Sequence, residues 1–211
     1  MNENDRILEI IELLKTEYPL SRTALTYSTP HQLLVATILS AQSTDVRVNI
    51  ITKTLFEKYK NVEDFAKAEL AELEQDIKSS GFFRQKAKNI KNTSIEIIEM
   101  FGGEVPRTME ALITLPGVAR KTANVVLSSA YSITEGIAVD THVKRLSYRL
   151  GLTDHTDPNK IEQDLMKLAP REEWSDLSYR LILHDRTVCS AHKPKHEECM
   201  LEHLCPKMGV E

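Results

Sequence analysis

The sequence predicts an all-α protein built from two helical domains. Apolar residues recur at helical spacing through nearly all of the 211 residues, and no segment shows a convincing strand alternation. The eight prolines fall between the helical segments or at their ends, where a missing backbone N–H costs least. No obvious linker or internal repeat interrupts this pattern.

The expected helices follow from the apolar stripes in chain order. The first stripe contains Ile7, Leu8, Ile10, Ile11 and Leu14, and a continuous apolar run over 33–39 predicts a buried helix. The third expected stripe contains Val46, Ile50, Ile51, Leu55, Phe56 and Tyr59. Further helices are expected near 67–78, 84–100, 108–113, 118–131, 141–150, 158–168 and 171–185.

Composition predicts a soluble, intracellular and cytoplasmic protein without a membrane partner. Hydrophobic residues make up 41% of the chain and charged residues 27%, which is typical of a globular protein. The first fifteen residues contain four acids, which fit neither a secretory signal nor a transit peptide. No apolar run approaches the roughly 18 residues needed to span a bilayer.

The net charge by itself argues against nucleic-acid binding, but the distribution of the charged residues argues for it. The formal net charge is −4, whereas phosphate contacts need basic groups. However, segments 78–95 and 111–134 contain basic residues and no acid. Segregation of this kind predicts one basic face on an acidic protein. The alternative is that these charges lie on ordinary solvated helix faces.

The most informative segment runs from Ala111 to Asn124. It predicts a short helix, a turn at Leu115-Pro-Gly-Val118 and a second helix. Gly117 allows a tight turn and a close backbone approach, and the first N–H groups of the second helix point outward. These groups, together with the helix dipole, can bind a phosphate. The alternative for a bare Leu-Pro-Gly is an ordinary corner between helices.

Several blocks of this sequence resemble the helix-hairpin-helix DNA glycosylases, most closely the endonuclease III family. The hairpin block is Leu115-Pro-Gly-Val-Ala-Arg-Lys-Thr-Ala-Asn-Val-Val-Leu127, followed by Val139-Asp-Thr-His142. Other blocks occur in the family's order at 39–45, 81–90 and 181–184, and cysteines follow at the end. The resemblance therefore covers almost the whole chain.

This resemblance implies the helix-hairpin-helix DNA glycosylase fold, with two helical domains and a cleft between them. Residues 24–134 would form a six-helix barrel domain that carries the hairpin, and residues 1–23 would join 135–211 in a second domain with a metal loop at 189–205. The expected partner is double-stranded DNA with damaged bases or abasic sites, bound in the cleft by a nucleoid-associated monomer. One departure is Ala119, because the family hairpin usually has a second glycine there and a methyl group could crowd the phosphate.

Two residues are expected to carry the chemistry. A neutral amine of Lys121 could attack the sugar C1′ and give an iminium intermediate. Asp140 is expected to cap the next helix and to stabilise positive charge on the sugar or accept a proton. The resemblance implies that Lys121 displaces the base, stays attached to the sugar and cleaves the strand 3′ to the lesion by β-elimination. The alternative is a solvated lysine and a purely structural cap.

The remaining DNA contacts also come mainly from the resemblance. It implies that Gln42 and Phe82 fill the gap left by a flipped base, as an amide and an aromatic ring can do. The other expected DNA-binding residues are Arg84, Gly117, Val118, Ala119, Arg120, Thr122, Lys193 and Lys195. The family hairpin holds a monovalent cation through backbone carbonyls, which correspond to Ile113, Leu115 and Val118.

The three cysteines cluster at the C-terminal end and predict a metal site rather than a disulfide framework. Their spacing, with His196 between Cys189 and the pair Cys199 and Cys205, resembles the family's iron–sulfur loop of four cysteines. A 4Fe–4S cluster with Cys₃His ligation is favoured over zinc, which the same ligands suit, and over no metal at all. A neutral histidine in place of a thiolate predicts a raised reduction potential.

Two other functions remain as alternatives. A monofunctional mismatch glycosylase of the same superfamily is disfavoured because Lys121 is present and because 31–41 contains no acid. A non-catalytic DNA-binding module with a redox-sensing metal tail would require Lys121 and Asp140 to be inert. Oxidised pyrimidines are the expected substrates if the chain is a bifunctional glycosylase and lyase.

Overall fold

A computed structural model describes residues 3–210, and the described chain is helical with no strand, which confirms the all-α prediction. Its helices are α1 (Glu3–Glu17), α2 (Pro30–Ser40), α3 (Asp45–Lys58), α4 (Val62–Lys67), α5 (Leu70–Asp76), α6 (Phe83–Phe101), α7 (Met109–Leu112), α8 (Arg120–Tyr131), α9 (Thr141–Arg149), α10 (Pro158–Leu168) and α11 (Trp174–Thr187). Short 3₁₀ turns occur at Lys78–Ser80, Arg171–Glu173, His196–Glu198 and Glu202–Leu204. Over this described range, none of the helices combines the length and apolarity that crossing a bilayer would require.

The chain divides into two compact units. The hairpin unit is Ala24–Ile133 and contains α2 to α8. The cysteine unit combines Met1–Thr23 with Thr134–Glu211 and contains α1, α9, α10, α11 and the cysteines.

Helix α2 is the centre of the hairpin unit. Thr29 caps it by accepting a hydrogen bond from the Gln32 N–H, and Pro30 begins the helix where its missing N–H is harmless. Seven consecutive residues, 33–39, are buried, so the helix is enclosed on all sides by α3, α6 and α8. This accounts for the continuous apolar run in the sequence.

An aromatic cluster around Phe65 fills the space beside α2. The Phe65 ring packs edge-on against Phe56 and His31 and lies tilted on Tyr59. His31 is buried, and its Nε2 lies 3.0 Å from the Ser94 hydroxyl of α6. Burial lowers the pKa of His31 to about 4, so the ring is neutral at pH 7.

The cysteine unit has its own apolar core. Buried residues of α1, α9, α10 and α11 meet there, and Leu201 and Leu204 join them from the cysteine loop. Arg6 of α1 donates hydrogen bonds to the carbonyls of Leu150, at 2.6 Å, and Gly151, at 3.0 Å. Its guanidinium therefore satisfies carbonyl groups at the end of α9.

Two expectations about the hairpin unit were wrong in detail. The buried face of α3 consists of Val48, Ile51, Thr52 and Leu55, at the spacing i, i+3, i+4 and i+7. Val46 and Ile50 fall off this face and are 72% and 59% exposed. The helix expected over 67–78 is shorter, because Ala68 ends α4 and Glu69 precedes α5.

Candidate active site

The hairpin consists of α7, a glycine turn and α8. Thr108 caps α7 by accepting a hydrogen bond from the Ala111 N–H. The chain then turns through Leu115, whose carbonyl accepts the Val118 N–H at 3.1 Å. Gly117 lies in this turn with φ of +76°, a region that residues with a β-carbon rarely adopt.

The turn packs closely against α6. A β-carbon at Gly117 would lie 2.5 Å from the side-chain nitrogen of Asn89, so glycine is required by contact as well as by conformation. Asn89 is held by a 2.8 Å hydrogen bond from Gln85, and Thr93 donates a 2.7 Å bond to the Pro116 carbonyl. Helix α6 therefore packs against the turn of the hairpin and stabilises it.

The N-terminus of α8 has no side-chain cap. Ala119 occupies the N-cap position with extended backbone, and it has no side-chain oxygen to accept a first-turn N–H. Threonine or aspartate side chains cap α2, α9 and α10 instead. The positive end of α8 is thus open to an anion in a way that these other helix ends are not.

Lys121 is the second residue of α8, and it is half-buried beside Arg120. The side chains of Val118 and Thr122 are buried, with 6% and 9% exposure, whereas Gly117 and Ala119 are exposed. Any contact that Val118 or Thr122 makes with DNA therefore has to come from the main chain.

Asp140 caps α9, which confirms the expected N-cap. Its Oδ1 accepts hydrogen bonds from the backbone N–H groups of His142 and Val143, both at 2.9 Å. These bonds fix the carboxylate at the helix start. Its second oxygen, Oδ2, makes no hydrogen bond or ion pair with any residue in the described chain.

A buried carboxylate on α11 holds the first turns of α9, and it is a site residue that was not expected from the sequence. Asp185 is 2% exposed, and its Oδ2 lies 2.6 Å from His142 Nδ1. The Arg145 guanidinium binds both Asp185 oxygens in a bidentate pair. The signal available was the spacing of His142 and Arg145, which places them on one face of α9.

The two expected wedge residues both lie on exposed loops of the hairpin unit. Gln42 follows the end of α2 with φ of +53°, and Phe82 precedes α6 with φ of +48°. The Phe82 side chain is 67% exposed, so it is not a core aromatic. Arg84 is also exposed, with its guanidinium 5.4 Å from the Phe83 ring.

The cysteine thiols are half-buried, and those of Cys189 and Cys205 contact Arg149 at the end of α9. Arg149 donates from Nη1 to Cys189 Sγ at 3.3 Å, and the Lys207 N–H donates to Cys205 Sγ at 3.4 Å. Burial raises the pKa of the Cys199 and Cys205 thiols. The N–H donors that contact Cys189 and Cys205 suit thiolate ligands.

Arg149 also organises the segment between the first two expected ligands. Its guanidinium donates to the carbonyls of Cys189, Ser190 and Ala191, at 2.8 to 3.0 Å. His184 was not identified as a site residue from the sequence, yet its buried Nε2 lies 3.4 Å from Cys199 Sγ.

The four expected ligands do not form a metal-binding group in the part of the chain that the structure describes. Among residues 3–210, no set of three or more His, Cys, Asp or Glu side chains is arranged to hold a metal ion. His196 begins the 3₁₀ turn His196–Glu198 and is half-buried. Lys193 and Lys195 are exposed on the same loop, and Lys195 pairs with Glu198 at 3.1 Å.

Comparison with known proteins agrees with the hairpin geometry. Residues 35–171 match the family model described as HhH-GPD superfamily base excision DNA repair protein. The chain is 56% identical to Endonuclease III of Synechocystis over 97% of its own length and 94% of the relative's.

Two solved structures of Endonuclease III with DNA are also similar, one non-covalent and one a trapped covalent intermediate. Each superposes with a TM-score of 0.93 at 44% identity, covering 98% of this chain and 97% of the other. The family match spans more than half of the chain, and the identities hold over nearly all of it. The chain therefore belongs to the endonuclease III family of the HhH-GPD base excision DNA repair proteins.

Proposed function

We propose that this protein removes oxidised pyrimidines from duplex DNA and then cleaves the strand at the abasic site, with Lys121 as the covalent nucleophile. The observation that carries this proposal is the place of Lys121 in the first turn of an uncapped helix, directly after the glycine turn. A phosphate bound at that helix end would bring a nucleotide to the amine.

The reaction begins once the damaged base has left the stack. The Lys121 amine forms a bond to C1′ as the bond from C1′ to the base breaks, and the base departs with the electron pair and takes up a proton. The nitrogen lone pair then displaces O4′ from C1′, and O4′ takes up the proton that the amine gave up, so that the sugar ring opens to an iminium. Loss of a C2′ proton gives the enamine, and re-formation of the iminium expels the 3′ phosphate. Water then releases Lys121 from the unsaturated sugar.

Asp140 supplies the carboxylate that this sequence of steps needs. Oδ1 is held by two backbone N–H groups, so Oδ2 is the atom available to the reaction. A fixed negative charge stabilises the positive charge that develops on the sugar, and it can accept the proton that the Lys121 amine gives up as it bonds to C1′. The helix cap is the device that keeps this carboxylate in one orientation.

Most of the contacts with DNA phosphates are proposed to come from the main chain of the hairpin. The backbone from Gly117 to Thr122 would bind phosphate, aided by Arg120. Arg84, Lys193 and Lys195 would add side-chain contacts from exposed positions. The carbonyls of Ile113, Leu115 and Val118 would hold a monovalent cation. This arrangement explains how a chain of net charge −4 can bind DNA.

Gln42 and Phe82 are proposed to fill the gap left by the extruded base. Both are exposed, and both have the left-handed backbone that is rare for residues with a β-carbon. Strained backbone of this kind is concentrated at functional sites. The amide can bond the orphaned partner base, and the ring can stack in the opening.

The cysteine loop is proposed to bind a 4Fe–4S cluster through Cys189, Cys199, Cys205 and His196. When bound, the cluster would tie the loop 189–205 to the fold and give the unit a redox group. The residues of the chain orient this loop themselves, because Arg149 already binds three of its carbonyls. Lys193 and Lys195 would then present their charges to DNA from a fixed segment.

Borohydride trapping tests the proposal. Wild type and Lys121→Ala are mixed with a duplex carrying one thymine glycol, and Lys88→Ala serves as a control at an exposed lysine of α6. A covalent adduct in wild type and in the control, absent in Lys121→Ala, is the expected result. Strand cleavage with no adduct in any protein would contradict a lysine nucleophile.

The two alternatives give different outcomes in the same assay. A monofunctional mismatch glycosylase would release a base from a mismatch without trapping or cutting the strand. A non-catalytic binding module would bind thymine glycol, 5-hydroxycytosine and abasic duplexes and change none of them.

A further inference from the structure

Lys86 is a buried cation inside the hairpin unit. It is 5% exposed, and its ammonium donates one hydrogen bond to the Leu39 carbonyl and another to the Ser80 carbonyl, both at 2.8 Å. Burial lowers the pKa of this lysine, which shows that the environment opposes the charge. Burying a charged group costs free energy unless hydrogen bonds compensate for the lost hydration, and the two carbonyls provide such bonds.

The two carbonyls belong to the segments that lead into Gln42 and Phe82. Leu39 lies in the last turn of α2, whose final carbonyls have no partner within the helix, and Gln42 follows three residues later. Ser80 ends the 3₁₀ turn Lys78–Ser80, and Phe82 follows two residues later. One ammonium group therefore links the segment that precedes Gln42 to the segment that precedes Phe82.

The backbone of both loops is strained just beyond these bonds. Gln42 has φ of +53° and Phe82 has φ of +48°, and both side chains are exposed. A left-handed residue persists only where its surroundings determine it. The two bonds from the Lys86 ammonium are fixed points, one before each loop residue.

We propose that Lys86 is a positioning residue that holds the Gln42 and Phe82 loops at one spacing, so that both side chains enter the opened duplex together. This inference rests on the proposed function, because it assumes that the two residues fill the gap in the DNA. Lys86 itself does not touch the substrate. Its contribution is the fixed geometry of two side chains that must act at once.

The matched control is Lys91 of the same helix. Its ammonium also donates to a carbonyl, that of Ala68, at 2.5 Å, but this carbonyl leads to neither loop. Lys86→Met and Lys91→Met each replace an ammonium with an apolar chain of similar length. Lys86→Met loses two bonds to backbone carbonyls and Lys91→Met loses one, and only the first variant releases the two loops.

The test measures duplex opening separately from chemistry. A duplex carries the stable tetrahydrofuran analogue of an abasic site, with 2-aminopurine opposite, whose fluorescence rises when the base loses its stacking partners. We expect Lys86→Met to reduce this rise by about tenfold at saturating protein, the scale of a misplaced group, and Lys91→Met to leave it intact. Equal responses in the two variants would overturn the proposal.

A second measurement separates positioning from a general loss of folding. Adduct formation on an abasic site in single-stranded DNA requires no base extrusion, whereas excision of thymine glycol from a paired duplex does. Lys86→Met should slow only the second reaction, and an equal loss in both would indicate a merely structural role. If this variant does not fold, Lys86→Arg keeps the charge and lengthens the bridge. It should lower the 2-aminopurine response, and a response equal to wild type would overturn the proposal.

The 2-aminopurine response tests the role of Lys86, and the borohydride adduct tests the role of Lys121, so either can fail alone. The tetrahydrofuran site is not cleaved, so the fluorescence response requires no chemistry. A wild type that opens the duplex but forms no borohydride adduct would overturn the lysine mechanism and leave the role of Lys86 in place.

Discussion

His142 Nδ1 lies 2.6 Å from Asp185 Oδ2, and this contact ties the helix that Asp140 caps to α11. Arg145 binds the same carboxylate, so one buried acid restrains two side chains of α9. The restrained turns directly follow the proposed catalytic carboxylate.

Replacing Asp185 by asparagine should therefore weaken both the fold and the reaction. The change removes the charge and leaves Arg145 with a neutral partner, but the guanidinium is 27% exposed and can still reach water. We expect a loss of about 2 kcal/mol in the free energy of unfolding, measured by urea titration. Asp154→Asn, at an exposed position, is the control and should cost little. Equal unfolding curves for the two variants would contradict this account.

An aspartate in place of Ala119 should stabilise the protein while weakening DNA binding. Its side chain would cap the open end of α8 and add about 1 kcal/mol to the free energy of unfolding. The same carboxylate would repel the phosphate that we assign to this helix end, so the Kd for duplex DNA should rise about tenfold or more.

Glu69→Ser is the matched control, since it adds a cap to α5, which also lacks one. This variant should gain stability without any change in the Kd for DNA. If Ala119→Asp bound DNA as tightly as wild type, the uncapped helix end would not be the phosphate site.

The buried imidazole of His31 should make stability depend on pH. Its pKa is about 4 in the folded protein against 6.5 when unfolded, so the unfolded chain binds the proton first as pH falls. The destabilisation begins near pH 6.5 and grows until pH 4, reaching about 3 kcal/mol. His31→Gln should flatten the curve of unfolding free energy against pH by that amount, as urea titrations at pH 7 and pH 4 would measure.

His155→Gln provides the comparison, because the side chain of His155 is 49% exposed. This variant should follow the wild-type curve. A His31→Gln curve as steep as that of wild type would show that His31 is not the group responsible.

Changing His196 to cysteine should lower the reduction potential of a cluster bound to the loop. A thiolate adds one negative charge where a neutral imidazole would ligate, which favours the oxidised cluster. The measurement is electrochemistry of the iron-loaded protein, with iron content determined for both variants. Unchanged iron content and potential would mean that His196 is not a ligand, and Cys189→Ala should lose iron in either case.

Much of the fold could be predicted because local patterns dominate it. The run 33–39 is apolar on every side and is buried on every side, and Asp140 precedes its helix as a cap should. Helix α4 was missed although a signal was present. The Asn61 side chain accepts a hydrogen bond from the Asp64 N–H, and the Asp64 carboxylate accepts one from the Lys60 N–H. This is a short capping pattern at the start of an apolar turn.

Other features lie beyond sequence patterns because they depend on contacts between distant segments. The partner of His142 is 43 residues away, and Lys86 reaches a carbonyl 47 residues away. The left-handed backbone of Gln42 and Phe82 is likewise set by surroundings, since neither residue type favours it. The hairpin motif pointed to Lys121, but only the structure shows that no side chain caps the N-terminus of α8.

The residue that becomes attached to the sugar identifies the nucleophile. Wild-type protein is reduced with borohydride on a thymine-glycol duplex, digested with nuclease and protease, and analysed by tandem mass spectrometry. We expect a reduced sugar remnant on Lys121 and on no other lysine. A remnant on Lys86, on Lys91 or on the N-terminal amine, with Lys121 unmodified, would contradict it.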